Sequence, residues 1–238
     1  MLGTLCLYED YPRNWHDFFR YLTKALASSP NETKIISSMA FAYLDVGRSS
    51  EASALAESLE RLDPLNPTTY VVRGCCYQND CQFGPALEQF RMYYSADSTS
   101  PLAQTYYSWM LAYNGEGDEA LAVIDRMATG SPRNVNTAFC LLLKYALLKD
   151  KESALRLLTP EFQKTCRRDG EWSYWVADRL SLLGAKEEAL DWLENAVNRG
   201  CINYPLLECD PFFDNIRGEE RFKKLMERVK YEWEHFEV

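Results

Sequence analysis

Cysteine is the residue type through which this sequence could most readily do chemistry. There are eight: Cys6, Cys75, Cys76, Cys81, Cys140, Cys166, Cys201 and Cys209. The dense group is Cys75-Cys76, followed after four residues by Cys81. A zinc site built on it needs a second pair of ligands at a usual spacing, and the sequence offers none. On a helix Cys75 and Cys76 project to different sides. A thiol or hydroxyl nucleophile needs a nearby base. The two histidines, His16 and His235, stand at opposite ends of the chain. Gly115-Glu-Gly117 lacks the third glycine and the preceding strand of a dinucleotide fingerprint. Glu187-Glu188 and Glu219-Glu220 fall at helix starts, where carboxylates complement the helix dipole. The expectation is a non-enzyme with no metal and no cofactor, its cysteines filling small slots in a core.

Composition narrows the partners. The formal net charge is −9 and 47% of the residues are hydrophobic. An acidic chain lacks the basic footprint of a nucleic-acid surface and the polybasic patch that holds a protein to an anionic membrane. No apolar run approaches the ~20 residues of a membrane span. The weakly apolar residues 1–7 have no basic leader, and Glu9-Asp10 follows at once, so no signal peptide is expected. With these features the cysteines suggest a reduced, cytoplasmic protein with an acidic solvated face.

The elements that would position these residues recur with a period of 34. Ala52, Ala86, Ala120 and Ala154 are each 34 apart; Pro30, Pro64 and Pro132 fall at 34 and twice 34; Pro67 and Pro101 are 34 apart. Ile35 to Pro64 shows the unit best: a helix, a turn at Gly47, a second helix and a proline stop. The alanine sits where two helices cross closely. Pro30, Pro64 and Pro132 end second helices, because proline cannot continue the ladder. Pro67 and Pro101 open first helices, where the missing N–H is not needed. Gly47, Gly115 and Gly184 sit in the turns. Residues 1–30 read as a degenerate first repeat, with Asn14 capping a helix from about Trp15 to Ala27. Residues 1–10 are a damaged first helix or a junction to something missing. Regular repeats span 33–64, 67–96, 101–130 and 135–158. Thr159-Pro160 cuts the fifth short, and residues 159–170 form an irregular insert with an extra helical turn. The last repeat, 171–200, slips by one, since Ala154 to Ala189 is 35. After an irregular stretch to Gly218, a helix from Glu219 carries Phe222, Leu225, Met226, Val229 and Trp233 on one face and caps the array.

These residues resemble the tetratricopeptide (TPR) repeat over roughly residues 14–200. Tyr70-Gly74-Tyr77-Ala86-Phe90 and Tyr43-Gly47-Ala52-Pro64 carry the likeness. Pro160, Ser98 in place of the closing proline, and the slipped sixth repeat depart from it. The resemblance implies an all-α, right-handed superhelical solenoid of about six antiparallel helix pairs plus the C-terminal cap, in one domain. Tyr43, Ala52, Gly74, Tyr77, Ala86, Ala120, Ala154 and Ala189 would be its repeat-packing residues. The tail, with Asp210-Pro211, Phe213, Ile216-Arg217 and Phe222, resembles the segment after the last repeat in C-terminal TPR modules of bacterial signalling proteins such as kinases, cyclases and regulators.

First helices line the concave face of such solenoids, where peptides bind; this too is what the resemblance implies. A stripe displaced by one residue from the packing stripe faces that groove. It comprises Phe41, Val71, Cys75, Asn79, Thr105, Trp109, Tyr113 and Phe139, with Ser37, Asp45, Leu143, Tyr174 and Asp178 extending it. It has Lys34 nearby and no arginine, so the basic clamp some TPR domains use for a C-terminal carboxylate is absent. The expected function is an interaction scaffold that binds an apolar segment of a protein or peptide partner, with Trp109 and Phe41 as anchors. Each anchor would contribute about 1.5–3 kcal/mol. The alternative is a structural module that packs on itself as a homo-oligomer or on a missing catalytic domain.

Overall fold

The computed structural model describes residues 14–127 and 134–238. The expectations for residues 1–13, and for the close of the fourth repeat at Gly130 and Pro132, lie outside the described residues. Among the described residues there are helices and no strands. They alternate as first and second members of pairs: α1 (Trp15–Ser28), α2 (Thr33–Asp45), α3 (Ser49–Leu62), α4 (Thr68–Asn79), α5 (Phe83–Ala96), α6 (Pro101–Tyr113), α7 (Gly117–Met127), α8 (Val135–Leu147) and α9 (Lys151–Leu157). The chain continues through α10 (Pro160–Cys166), α11 (Gly170–Leu183), α12 (Lys186–Asn198), α13 (Tyr204–Cys209), a 3-10 turn (Pro211–Asn215) and α14 (Glu220–Glu234).

The period of 34 has a backbone cause beyond the alanines. Every first helix from α2 to α11 ends on a residue in left-handed conformation: Gly47 (φ 70°), Cys81 (60°), Gly115 (80°), Lys149 (57°) and Gly184 (88°). The first four are 34 apart, and the fifth follows at 35. In each turn the next amide donates back to the helix: Arg48 to Tyr43, Gln82 to Tyr77, Glu116 to Leu111, Asp150 to Tyr145 and Ala185 to Leu180, at 2.8–2.9 Å. This bond closes a Schellman cap and folds the chain back. The sequence shows glycine at three of these turns. At Cys81 and Lys149 the cap forms despite a conformation that costs a residue with a Cβ roughly 1–2 kcal/mol.

The pairs stack through buried small residues. Ala52, Ala86, Ala120, Ala154 and Ala189 are all 0% exposed. A Cβ at Gly74 would come within 2.7 Å of the Phe90 ring, so that glycine admits its own partner helix. Asn14 caps α1, its Oδ1 accepting from the Asp17 amide at 3.1 Å. Thr159-Pro160 ends α9 after seven residues and opens α10, with the Thr159 hydroxyl accepting from the Phe162 amide. The stretch after Gly200 is more regular than its sequence pattern suggests. Asn203 caps α13 and Asp210 caps the 3-10 turn, each through its side-chain oxygen. Such short turns rest on caps and tertiary packing and carry no helical periodicity.

From Gly200 onward the chain returns to the first repeats. The Trp15 indole N–H donates to the Gly200 carbonyl at 2.8 Å. Asn203 Nδ2 donates to the Leu44 carbonyl at 2.8 Å and to Asn79 Oδ1 at 3.2 Å, while Asn79 Nδ2 reaches the same Leu44 carbonyl at 2.9 Å. Arg48 donates to the Phe236 carbonyl at 3.0 Å. Phe236 packs with Phe19, Tyr43 and Ile202 in the cluster around α1 and α2. Gly47 lies against this segment as well as in its own turn. A Cβ there would meet Trp233 Nε1 at 2.9 Å and Pro205 Cδ at 3.0 Å. At the outer end α14 docks on α12, where Arg221 bonds Glu187, Asp191 and Glu194 at 2.8–3.2 Å.

A disulfide joins Cys81, in the turn after α4, to Cys209, at the end of α13. The expectation that all cysteines are reduced therefore fails for this pair. Disulfides persist in oxidising compartments, so cysteine usage no longer argues for the cytoplasm. The bridge spans 128 residues of sequence, a long loop to hold closed in the unfolded chain. Non-reducing peptide mapping should recover the Cys81 and Cys209 peptides linked to each other. Cys209→Ser should lower the unfolding free energy by about 2–5 kcal/mol, read from urea titration, and reductant should reproduce the loss in the wild-type chain.

Candidate functional site

The aromatic stripe read from the sequence gathers around α11, which carries Ser173 to Ser181 as an unbroken buried run. Trp109 is 1% exposed and Phe139 0%. Trp175 meets both rings edge to face, at 5.3 Å and 5.0 Å between centroids. Arg179 is wholly buried, its guanidinium 4.6 Å from the Trp109 ring and 5.8 Å from those of Phe139 and Trp175. Its Nη1 donates to both oxygens of Asp178, at 2.8 and 3.1 Å, and to the Trp175 carbonyl at 2.9 Å.

The remaining stripe residues divide between core and cavity. Val71 and Thr105 are buried, and the Thr105 hydroxyl donates to the Pro101 carbonyl at 2.8 Å. Tyr113 packs edge to face on Phe212 at 4.6 Å and on Phe83 at 5.0 Å. Asn79 is held by the Leu44 carbonyl and Asn203. Trp109, Phe139, Val71 and Thr105 were expected to face an open groove and instead lie in the core. The physical reason is coverage: α11 and the returning C-terminal segment occupy the concave face and remove these apolar side chains from water.

What remains open on that face is a cavity of about 60 Å³. Phe41 and Asp45 of α2, Cys75, Gln78 and Asn79 of α4, and Tyr106 and Trp109 of α6 form one wall. Across from them stand Glu171, Tyr174 and Trp175 of α11, Arg199, and Asn203, Leu206 and Leu207 of the returning segment. Four of the eight groove residues, Phe41, Cys75, Asn79 and Trp109, are thus brought together here. Gln78, Tyr106, Glu171 and Trp175 were missed. Gln78 and Tyr106 sit one residue away from the expected stripe; on α11 Tyr174 of that stripe lines the cavity, and Trp175 beside it and Glu171 one turn before join it.

Burial pushes the Cys75 thiol well above its usual range, with the charges of Cys76, Glu171 and Asp45 adding to the effect. Tyr106 is raised by burial too, and by Cys75, Glu171 and Asp45. Burial favours the neutral form of both groups. Among the described residues no group of three or more His, Cys, Asp or Glu is placed to hold a metal ion. Behind the cavity the Tyr174 hydroxyl donates to Asp210 Oδ2 at 2.8 Å. Burial raises the Asp210 carboxyl to about 6, against the bonds from Tyr113, Tyr174 and the Phe212 amide. Asp178 is pushed upward by burial, opposed by Arg179.

The residues that carried the tail resemblance have structural work. Phe213 and Ile216 are fully buried, and Arg217 bonds the Asp210 carbonyl at 2.6 Å. Of the residues assigned to repeat packing, Tyr43 lies on Phe19 at 4.9 Å. Tyr77 departs: it is 37% exposed and lines an open depression together with Ser49, Ser53 and Gln89. Those small or polar neighbours cannot cover its ring.

No family model matches the chain, and no curated protein matches it. Solved structures share its fold. PilW, a type IV pilus biogenesis factor, is 17% identical over 86% of this chain and 95% of its own, with a TM-score of 0.50. PilF from Pseudomonas aeruginosa is 14% identical over 86% and 93%, with a TM-score of 0.48. A tetratricopeptide repeat protein from Parabacteroides merdae is 13% identical over 91% and 93%, with a TM-score of 0.49. The fold is a TPR-like all-α solenoid, and at these identities the likeness is one of fold. Among the described residues no helix is long and apolar enough to cross a membrane.

Because Trp109 is core, Trp109→Ala should cost about 3–5 kcal/mol in urea unfolding. Asp210 makes stability depend on pH. Its carboxyl titrates near 6 in the folded chain, against a usual value of 3.8. Between these values the native state keeps a proton that the unfolded chain has released, so stability falls as pH rises from about 4 to about 6. Asp210→Asn should remove on the order of 2–3 kcal/mol of that fall, read from melts at pH 4 and pH 7.

Proposed function

We propose that this chain is a non-enzymatic protein–protein interaction scaffold whose recognition site is the cavity on its concave side. The occupant is one side chain of a protein or peptide partner. The observation that carries this reading is the composition of the cavity. Phe41, Tyr106 and Trp175 supply aromatic walls from two first helices and from α11, with the buried Trp109 behind them, where the rest of the stripe is covered. Aromatic anchors in a concave, largely preformed site are typical of recognition hot spots. At about 60 Å³ the cavity has room for roughly four to six water-sized groups, which suits a single side chain and not an extended peptide. The tail resemblance supports use as a sensing or recruitment module of a larger bacterial signalling protein.

Cys75 offers a test that spares the core, because it is half-buried on the cavity wall. Cys75→Trp should fill the cavity and weaken capture of partner segments from a random peptide library at least tenfold, with helical circular dichroism and melting temperature kept. Undiminished capture would place recognition elsewhere.

A further inference from the structure

We infer that the Cys81–Cys209 disulfide is a redox latch, opened by a dithiol reductant, which holds α13 against α4 and so controls access to the cavity between them. That its opening regulates recognition rests on the reading that the cavity is the recognition site; the latch itself does not.

The bridge joins the two walls of the cavity. Cys81 follows α4, which contributes Cys75, Gln78 and Asn79, and Cys209 ends α13, which contributes Leu206 and Leu207. A reductant can reach it, because Cys81 is exposed and Cys209 half-buried. Elsewhere Cys75, Cys76, Cys140 and Cys166 are free thiols. A solvent-facing bridge beside four thiols fits a bond that opens and closes, whereas permanent staples belong to chains kept oxidised.

Opening the bond spares the turn at Cys81. Lys149 holds the same left-handed conformation without a bridge, and Asp150 donates to Tyr145 there as Gln82 does to Tyr77. The effect therefore falls on α13. At six residues that helix is too short to stand alone. Asn203, at its start, reaches across to the Leu44 carbonyl and Asn79, and the bridge pins its end. Asp210, next in the chain, accepts from Tyr174 of α11. Reduction thus leaves α13 attached to α11, and joins it to α4 through hydrogen bonds and packing that water can replace.

A thiolate of the reductant attacks Cys81 Sγ, forms a mixed disulfide and expels Cys209 as a thiolate, which takes up a proton. The second thiolate of the reductant attacks its own sulfur in the mixed disulfide and expels Cys81. The protein pair gains two electrons and the two protons given up by the dithiol, which is oxidised to a disulfide.

The test treats the full native chain with dithiothreitol, alkylates it with iodoacetamide at one pH, and reads each cysteine by mass spectrometry. The bridge should open without denaturant. Cys75, on the cavity wall, should then be labelled about fivefold faster or more, while Cys140, buried in α8, stays unlabelled over the same time. Reoxidation with glutathione disulfide should restore slow labelling. Cys81→Ala combined with Cys209→Ala should give fast Cys75 labelling without reductant, and Cys81→Ala alone serves if the pair does not fold. A bridge that opens only in denaturant, Cys75 labelling unchanged by opening, or Cys140 labelled in step with Cys75 would overturn the latch. Peptide capture that rises on reduction and is lost in Cys75→Trp supports the regulation; capture lost in Cys75→Trp yet indifferent to reduction would overturn it. Faster Cys75 labelling with capture that survives Cys75→Trp would sink the cavity reading and leave the latch standing.

Discussion

The return of the C-terminal segment onto the first repeats is the interaction on which the rest of this structure depends. A solenoid of stacked pairs contacts only neighbours, and its concave face is open by construction. Here Asn203 ties the segment to the Leu44 carbonyl and to Asn79, at 2.8 and 3.2 Å. The bond lands at the end of α2, where the last carbonyls of a helix have no partner within it. Gly47 makes the approach possible, because any side chain there would collide with Trp233 and Pro205. One residue thus serves a local turn and a contact nearly the length of the chain away.

Closure changes what the aromatic stripe is for. On an open solenoid Trp109 and Phe139 would be exposed anchors. With α11 packed against them they are fully buried, and the Arg179 guanidinium lies 4.6 Å from the Trp109 ring and 5.8 Å from that of Phe139. A guanidinium buried at 0% exposure is tolerated because Asp178 and the Trp175 carbonyl hold one of its nitrogens and aromatic faces receive its charge. The cavity is what this packing leaves over.

The disulfide sits at the same seam. Cys81 occupies a left-handed turn position that glycine fills in three of the other four pairs, and Cys209 ends the helix whose Leu206 and Leu207 wall the cavity. A residue that is locally unfavourable in its turn is placed where a covalent link holds the two cavity walls together. The local cost at Cys81 has a long-range return, which no periodicity of 34 could express.

By itself the sequence determined the repeat: its period, the alanines at the crossings, the proline stops, the slip at the sixth pair and the truncation at Pro160. These depend on local rules of backbone and volume, and residues near in sequence carry them. It showed the Gly47, Gly115 and Gly184 turns but not those at Cys81 and Lys149, where tertiary stacking overrides residue preference. It brought Phe41, Cys75, Asn79 and Trp109 onto one face, because helical spacing alone does that. Only the tertiary structure decided that Trp109 and Phe139 are core, that Gln78 and Glu171 join the cavity, and that Cys81 meets Cys209. Each of those depends on superhelical curvature accumulated over successive pairs. Small angles between neighbours, invisible in any one repeat, sum to bring Asn203 against Leu44.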